Sequence, residues 1–315
     1  MAIKSEKQTS ISIPTVKEML EAGVHFGHET KRWNPSFREY IFDKRGKFHV
    51  IDLEKTVENL KKALKYLVDI SSKKEILFVG TKRQARDIMK EEATRCGAHF
   101  ITNRWVGGLL TNFEIIHKGI RKLRKVEEKL SGNLKEYTPQ ELSVQRREWG
   151  RLDRLFGGVK FLDELPGVIV LIDPRFEWIT VKEARVAKIP VVAVVDSNSN
   201  PNLVDYPVPG NDDAIKSIQL FSKVLADAVL VGNKGKGVQH VLADFSKVGV
   251  DKEGKKEEEK RLKDTKKNKS KTMRVRKTTR KRKSTKTKKS KVSEKKKSTN
   301  TKKVSIKKRA AKKKE

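Results

Sequence analysis

The sequence predicts an α/β fold: a doubly wound parallel sheet with an inserted antiparallel coiled-coil helical hairpin and a disordered basic C-terminal tail. Short apolar runs alternate with amphipathic stretches of helical period, which is typical of parallel strands covered by helices on both faces. In one region two amphipathic stretches follow each other with no strand between them. The end of the chain is rich in Lys, Ser and Thr and contains few apolar residues.

The first part of the chain predicts two helices and one short strand. The first helix is expected at Thr15–Ala22, where the leading threonine can cap. Residues 25–47 are interpreted as a basic loop, and Phe48–Leu53 as a strand. The second helix is expected at Glu54–Ser71, because its apolar residues recur with a period of 3.6.

Five strands are expected in the parallel sheet: Ile76–Val79, His99–Ile101, Val168–Ile172, Val191–Val195 and Tyr206–Val208. The last of these is bounded by prolines, which is typical of an edge strand. The helices among and after them are expected at Gln84–Cys96, Ile179–Ala187 and Asp212–Val231. Asn211 is expected to cap the last helix, with two acids in its first turn.

The helical hairpin is expected at residues 112–156. Apolar residues recur in each arm in an a/d register, and Ser131-Gly132-Asn133 supplies the turn. These positions are Ile116, Ile120, Leu123 and Leu130 in one arm and Leu142, Trp149, Leu152 and Phe156 in the other. We therefore divide the chain into a sheet domain (1–111 and 157–232), the hairpin (112–156) and a tail (233–315).

The charge of the chain indicates a polyanionic partner. The sequence holds 74 Lys+Arg against 40 Asp+Glu, a formal net charge of +34. Residues 251–315 contribute 32 Lys+Arg and 8 Asp+Glu, a net charge of +24. Nucleic acid is the commonest partner of such a protein, and an anionic membrane surface is the second. The tail itself is either a solvated segment without a target or a non-specific phosphate binder.

Several classes of protein are excluded. The single cysteine, Cys96, excludes a disulfide framework and a cysteine-based zinc finger. No apolar run approaches the length of about 20 residues that spans a membrane. The first residues contain no apolar signal core. We therefore expect a soluble intracellular protein without a membrane partner.

Enzymatic motifs are weak in this chain. Gly80-Thr81-Lys82 follows a strand and precedes a helix, where a phosphate loop would lie, but neither GxxxxGK[ST] nor GxGxxG occurs there. Asp173 and Asp196 each end an apolar strand, at the edge where ligands bind in open parallel sheets. Their functional interpretation is contact with a cation or a ribose, and their structural interpretation is capping of turns. No cofactor is expected.

A metal site has only weak candidates. His25 and His28 are three residues apart in the basic loop. Two histidines need further ligands, and Asp196 or Asp205 are the residues that could supply them. The sequence leaves open whether a metal ion binds.

Nucleic-acid binding is better supported, by three basic clusters that contain aromatic residues or glycines. They contain the candidate RNA-binding residues Lys31, Arg32, Trp33, Lys82, Arg83, Arg104 and Trp105. Lys and Arg neutralise phosphates, and an exposed indole can stack on a base. Alternatively, each cluster is a solvated loop whose tryptophan anchors it in the core.

The hairpin offers a further basic surface. Arg121, Lys122 and Lys125 lie within two turns of its first arm. This grouping favours docking to RNA or to an acidic protein, and a solvated charged face is the alternative.

Several motifs resemble the small ribosomal subunit protein two family in its bacterial form. They stand in the family's order and cover about residues 15–231, but not the tail. They are Gly23-Val-His-Phe-Gly-His28, Lys31-Arg32-Trp33-Asn34-Pro35, Phe78-Val-Gly-Thr-Lys82, Arg104-Trp-Val-Gly-Gly-Leu-Leu-Thr-Asn112, Val170-Leu-Ile-Asp-Pro174, Ile189-Pro-Val-Val-Ala-Val-Val-Asp196 and Pro209-Gly-Asn-Asp-Asp213.

The resemblance implies a non-catalytic ribosomal protein with a flavodoxin-like sheet domain and a protruding coiled-coil hairpin. It implies binding to small-subunit rRNA, contact with neighbouring ribosomal proteins, late entry into the assembling subunit and help in docking ribosomal protein one. A cytoplasmic ribosome is the implied location, with an organellar ribosome as a minor alternative. The competing hypothesis is a nucleotide- or phosphosugar-using enzyme on the same fold.

Overall fold

Eight strands and seven α-helices make up most of the regular structure in a computed structural model that describes residues 11–132 and 137–234. The strands are β1 Phe26–Glu29, β2 Ile41–Arg45, β3 Phe48–Ile51, β4 Ile76–Val79, β5 His99–Ile101, β6 Val168–Ile172, β7 Val191–Val195 and β8 Tyr206–Pro209. The helices are α1 Val16–Glu21, α2 Leu53–Ser71, α3 Arg86–Cys96, α4 Phe113–Ser131, α5 Pro139–Phe156, α6 Trp178–Ala187 and α7 Ile215–Asn233.

Strands β4 to β8 form a parallel sheet in the order β5-β4-β6-β7-β8. Numbered within the sheet, that order is 2-1-3-4-5, the order of the flavodoxin-like folds. The five predicted strands are confirmed, and the proline-containing β8 lies at an edge as expected. The predicted α/β class with a parallel sheet is therefore confirmed.

Helices cover the parallel sheet on both faces, as its apolar strands require. Alternate side chains of β6 enter different cores: Val170 faces the core that α2, α3 and α7 cover, and Leu171 faces the core that α4, α5 and α6 line. All five residues of β6 are buried. Because both faces are covered, ligands can reach this sheet only at its edges and ends.

The segment predicted as a loop, residues 25–47, contains regular structure, so that prediction is wrong. Strands β1 and β2 pair with β3 in a three-stranded antiparallel sheet, and a short 3₁₀ helix, Pro35–Tyr40, connects them. The strands are short, each pairing contains a register shift, and β2 is almost wholly exposed. Residues 25–47 have no alternating apolar pattern, so hydrophobic periodicity does not predict these strands.

The last helix begins later than predicted. The side-chain oxygen of Asn211 accepts hydrogen bonds from the backbone N–H groups of Asp213 and Ala214, at 2.9 and 3.1 Å. This Asx turn keeps the preceding residues out of the helix, which starts at Ile215. Asp212 is therefore a loop residue rather than part of the first helical turn.

Helices α4 and α5 pack against each other along the predicted apolar positions. Ile120, Leu123 and Leu130 of α4 and the four predicted residues of α5 are buried, and all belong to the cluster beneath the sheet. Ile116 is only partly buried, and Val126 is a further buried residue of α4. The capping box of Thr138 and Glu141 starts α5 as expected.

None of the helices in the described part of the chain has the length and hydrophobicity that a membrane crossing needs. The predicted tail lies outside the described residues from 235 onward, and so does Asn133 of the predicted hairpin turn. The division into a sheet domain, an inserted hairpin and a tail stays a prediction.

Candidate functional site

Charged side chains converge at the carboxyl ends of the parallel strands. Lys82 follows β4, Asp173 follows β6 and Asp196 follows β7, while Asp212 and Asp213 follow β8. All but Asp213 are buried. Five residues from four strand ends thus form one cluster at the edge where open parallel sheets bind ligands.

Lys82 is the cation at the centre of this cluster. Its Nζ lies 3.2 Å from Asp173 Oδ2, 2.8 Å from Asp212 Oδ1 and 2.7 Å from Asp213 Oδ1. Burial favours the neutral amine, but the charge of Asp212 and the neighbouring carboxylates outweigh it, so the pKa of Lys82 is raised. The ammonium therefore stays charged, and its three N–H groups are taken up by the three carboxylates.

Negative charge is in excess around Asp212. Burial raises the pKa of this carboxyl well above its ordinary value, and the nearby Asp173 and Asp196 raise it further, against the opposing effect of Lys82. Its Oδ2 atom is buried and accepts no hydrogen bond, whereas Oδ1 meets the lysine. An unsatisfied buried oxygen in an acidic environment favours a cation or a proton there.

His28 joins the antiparallel sheet to this cluster. Its Nδ1 lies 2.9 Å from Asp196 Oδ2, and its Nε2 lies 3.4 Å from Asp213 Oδ2. The hydrogen bond to Asp196 raises the pKa of His28 against the effect of burial. The approach of the two sheets is close: a Cβ added at Gly27 would lie 2.9 Å from Ser197 Oγ, so only glycine fits without a shift.

One set of side chains among the described residues has the geometry to hold a metal ion. Ligand atoms of His28, Asp196 and Asp212 all lie within 4.8 Å of one another. Two of the weak sequence candidates are elsewhere: Asp205 accepts the N–H of Val191 at 2.8 Å, and the ring of His25 packs on Phe26. The sequence therefore named two members of this set correctly, missed Asp212 and added two residues that lie outside it.

Four of the predicted RNA-binding residues are exposed around the same end of the sheet. Arg83 and Arg104 follow the carboxyl ends of β4 and β5. Lys31 and Arg32 precede Asn34, whose N–H donates to the carbonyl oxygen of Ser197, directly after β7, at 2.7 Å. Basic segments that are far apart in the sequence are thus gathered at one edge.

Two residues of the predicted set lie where they cannot face RNA in this structure, and the expectation of exposed side chains is corrected for both. The ammonium of Lys82 is enclosed by the carboxylates described above. Trp105 is only 8% exposed and belongs to the apolar cluster under the sheet, so its indole is a core anchor. Trp33 is half-buried beside His49, with ring centroids 5.2 Å apart.

The motif around Trp105 is organised by a buried glutamate, Glu183 of α6. One carboxylate oxygen accepts from the indole N–H of Trp105 at 3.0 Å and from the N–H of Gly108 at 2.8 Å. The other accepts from the N–H of Leu110 at 3.2 Å and from Thr111. These contacts turn the loop so that Arg104 points outward while the tryptophan points inward.

The three basic residues predicted for docking on the hairpin are exposed. Lys122 forms an ion pair of 2.5 Å with Glu148 of α5, while Arg121 and Lys125 form no ion pair within the described residues. Arg124, close to them, is bound to the carbonyl oxygen of Lys160 at 2.6 Å and to Asp163 at 2.8 Å. The free basic face of α4 is therefore narrower than the sequence indicated.

The sequence does not predict three acidic residues whose side chains make buried contacts at or near the site. The sequence predicts Asp212 in a helical turn and indicates no role for Glu177 or Glu183. Glu177 accepts the N–H and the hydroxyl of Thr81 at 2.7 and 2.6 Å, which fixes the turn before Lys82. Of these three acids only Glu183 lies within a helix, and because acids are normally exposed, its burial leaves no signal in the sequence.

The strand order is that of the flavodoxin-like folds, Lys82 is enclosed by carboxylates, and exposed cations lie around the same end of the sheet. The protein is therefore an α/β protein whose sheet edge is charged but has no phosphate-binding loop motif. Comparison with known proteins defines its class: the family model described as Ribosomal protein S2 matches residues 19–232. Proteins named small ribosomal subunit protein uS2 are similar along most of the chain.

The relatives come from different bacteria. That of Endomicrobium trichonymphae is 49% identical over 227 residues, 71% of this chain and 93% of the relative. That of Acidobacterium capsulatum is 47% identical over 239 residues, covering 75% and 79%. That of Treponema pallidum (strain Nichols) is 44% identical over 231 residues, covering 73% and 79%.

The chain belongs to the ribosomal protein S2 family, in its bacterial form. The family consists of structural proteins of the small ribosomal subunit, so this protein is a ribosomal component and not an enzyme. The resemblance seen in the sequence motifs is thereby confirmed, and the nucleotide- or phosphosugar-using enzyme is ruled out.

Proposed function

We propose that this protein binds small-subunit rRNA through the exposed basic residues at the carboxyl edge of its sheet. In this role it supports translation and the late steps of subunit assembly, without catalysis. It acts in the cytoplasmic ribosome, with an organellar ribosome as the minor alternative.

One observation carries the proposal: exposed cations from three separate segments meet at the same edge. Lys31 and Arg32, Arg83, and Arg104 are all exposed there. Unlike Lys82, none of these four forms an ion pair within the described residues. Cations without a protein partner are available to neutralise phosphates, which dominate the affinity of proteins for nucleic acid.

The test is binding of the full-length protein to purified small-subunit rRNA as a function of salt concentration. Each neutralised phosphate should contribute about 0.7–0.9 to the slope of log K against log salt. The variant Arg32→Glu/Arg83→Glu/Arg104→Glu should bind more weakly and with a smaller slope. Affinity that stays nearly flat between low and physiological salt contradicts the proposal.

A matched control separates this edge from charge in general. Lys61→Glu/Lys65→Glu/Lys223→Glu makes the same change of charge at exposed positions on α2 and α7, which cover one face of the sheet. This control should lose only the part of the affinity that depends on net charge. Equal losses in the two triple variants would mean that the edge is not the binding surface.

The basic tail adds affinity but does not select the site in this proposal. Residues 251–315 contain no aromatic side chain and offer no fixed geometry for reading base edges. A chain that ends at Val250 should therefore join the same position on the subunit, but more weakly. Binding at a different position, or none at all, would contradict this part.

The helices α4 and α5 serve as a docking element, an antiparallel coiled-coil hairpin, in the same proposal. Their buried seam supports this role, since the arms stabilise each other and leave Arg121 and Lys125 at the surface. The docking partner is rRNA or a neighbouring small-subunit protein, such as ribosomal protein one. Co-sedimentation with small subunits through a low-salt gradient tests this association.

We also propose that His28, Asp196 and Asp212 bind a divalent cation. The unsatisfied oxygen of Asp212 and the excess of carboxylates over cations support it. One imidazole and two carboxylates suit Zn²⁺ or a similar transition metal better than Ca²⁺ or Mg²⁺, which prefer oxygen alone. The ion would join the antiparallel sheet to the edge of the parallel one.

A further inference from the structure

The segment from Pro174 to Lys188, which connects β6 to α6 and includes α6, has an unusual surface. Its exposed residues are four cations, two aromatic residues and two aliphatic residues: Arg175, Lys182, Arg185, Lys188, Phe176, Trp178, Ile179 and Val186. Trp178 is 59% exposed and Phe176 is 55% exposed. Single exposed apolar residues are common on proteins, but a group of them within one short segment indicates an interaction surface.

No acidic residue of the segment reaches this surface, although the segment contains two. Glu177 is 3% exposed and is used by Thr81, and Glu183 is 8% exposed and is used by the loop around Trp105. The internal contacts of the fold thus withdraw both negative charges. The exposed surface of the segment therefore carries four positive charges next to two aromatic side chains.

The geometry of α6 brings rings and charges together. Trp178, Lys182 and Arg185 are spaced i, i+4 and i+7, so they follow one face of the helix. Phe176 and Arg175 precede the helix, and both of their N–H groups donate to Asp173 Oδ1, at 3.0 and 3.1 Å. This fixes the backbone at the start of the surface in one conformation.

We propose that this surface, Arg175 to Lys188, is a second RNA-binding site, which stacks unpaired bases on Phe176 and Trp178 and neutralises their phosphates with the surrounding cations. Aromatic rings can stack only on bases that are not held in a duplex, so the ligand is single-stranded RNA or an unpaired loop of a folded RNA. The site adjoins the edge described above, since Arg175 donates to the carbonyl oxygen of Asn198, next to Ser197, at 3.4 Å, but it contains none of the residues assigned to RNA there.

The four cations favour RNA over an apolar protein partner. An apolar protein partner would use the aromatic and aliphatic residues but leave four cations without a counter-charge, whereas RNA supplies a phosphate with every base. An anionic membrane could use both kinds of residue. The inference rests on the proposed rRNA binding, since the RNA is expected to be that of the small subunit.

Fluorescence of Trp178 in the full-length protein tests stacking directly. The signal of residue 178 is the difference in emission between the wild type and Trp178→Phe. The probes are a short single-stranded RNA, the duplex that it forms with its complement, and vesicles containing anionic lipid. Single-stranded RNA should quench the difference signal, and the duplex and the vesicles should leave it nearly unchanged.

Affinity for small-subunit rRNA gives the second measurement. Phe176→Ala/Trp178→Ala should weaken binding about thirtyfold or more, in line with the usual contribution of two stacked bases, while Trp178→Phe keeps a ring and most of the affinity. Phe42→Ala is the matched control, because this ring is 75% exposed on β2, outside the segment. It should bind as the wild type does, and thermal unfolding should show that all variants are folded.

Three results would overturn the inference. They are unchanged affinity in Phe176→Ala/Trp178→Ala, equal quenching by duplex and single strand, and quenching by vesicles but not by RNA. If the edge variant at Arg32, Arg83 and Arg104 loses affinity and the double-alanine variant does not, rRNA binding stands and this site alone fails. If the wild type does not bind rRNA, both fail.

Discussion

The carboxylate of Glu183 accepts the indole N–H of Trp105 at 3.0 Å, in a region where both residues are at least nine-tenths buried. The same carboxylate accepts backbone N–H groups of Gly108, Leu110 and Thr111. One acid of α6 therefore positions the loop between β5 and α4. It also keeps Arg104 at the surface by holding the next residue in the core.

We expect Glu183→Gln to lower the free energy of unfolding by about 2–3 kcal/mol. The amide keeps one acceptor oxygen but replaces the other with a donor that faces N–H groups, and hydrogen bonds to a charged group contribute about 1.5–3 kcal/mol each. Urea unfolding measures the change. Glu128→Gln, at an exposed position of α4, is the control and should unfold like the wild type.

The Glu183 contacts should also affect stability in acid. Burial raises the pKa of Glu183, but the hydrogen bonds from Trp105 and the backbone outweigh it, so the pKa in the folded protein lies below its ordinary value. The stabilisation is therefore fully present above the unfolded-state pKa and is lost as pH falls through the folded one. Below pH 5, the wild type should lose stability more steeply than Glu183→Gln, and parallel acid profiles would contradict this.

Lys82 is predicted to stabilise the fold rather than to bind a phosphate. Lys82→Met leaves the surrounding carboxylates without their cation, which should cost about 3–5 kcal/mol of unfolding free energy. Adding Asp212→Asn removes one of those charges and should restore part of the loss. Arg83→Met, at the next and exposed position, should change stability by only about 0.5 kcal/mol. Wild-type stability of Lys82→Met in urea would contradict the assignment.

Metal binding is measurable on the full-length protein by thermal unfolding. Zn²⁺ should raise the midpoint of the wild type, since a ligand that binds only the folded state stabilises it. His28→Ala should abolish this shift. Asp205→Asn and His25→Ala, at the candidates that lie outside the cluster, should retain it. An unchanged midpoint in the wild type with added Zn²⁺, or a full shift in His28→Ala, would exclude the site.

The sequence predicted the elements whose buried residues follow a regular pattern. Strand β6 is apolar throughout because both of its faces are covered, and α2 shows a clear apolar period because only one of its faces is. Strand β2, by contrast, is nearly all exposed and carries no such pattern. Hydrophobic periodicity reports burial and not hydrogen bonding, so the sequence predicts only β3 of the antiparallel sheet and not β1 or β2.

The site was predictable only in part for a related reason. Exposed cations such as Arg32 and Arg104 follow directly from local composition. The roles of Lys82 and Trp105 depend on Asp212 and Glu183, which are 130 and 78 residues away in the chain. A single sequence contains no signal for such pairs, and only the strand order brings them together.

The last prediction concerns the basic face of α4. Reversing Arg121, Lys122 and Lys125 to Glu should leave the fold intact, because exposed charge changes usually move stability by only about 0.5 kcal/mol. Incorporation into small subunits, followed by gradient sedimentation, should fall several-fold if this face docks to RNA or to an acidic neighbour. Lys122 is paired with Glu148, so its reversal also places two acids together. The control Lys122→Ala/Glu148→Ala removes that pair alone, which is worth at most about 1 kcal/mol at the surface, and should incorporate normally. Normal incorporation of the triple reversal would mean that this face of the hairpin is only solvated.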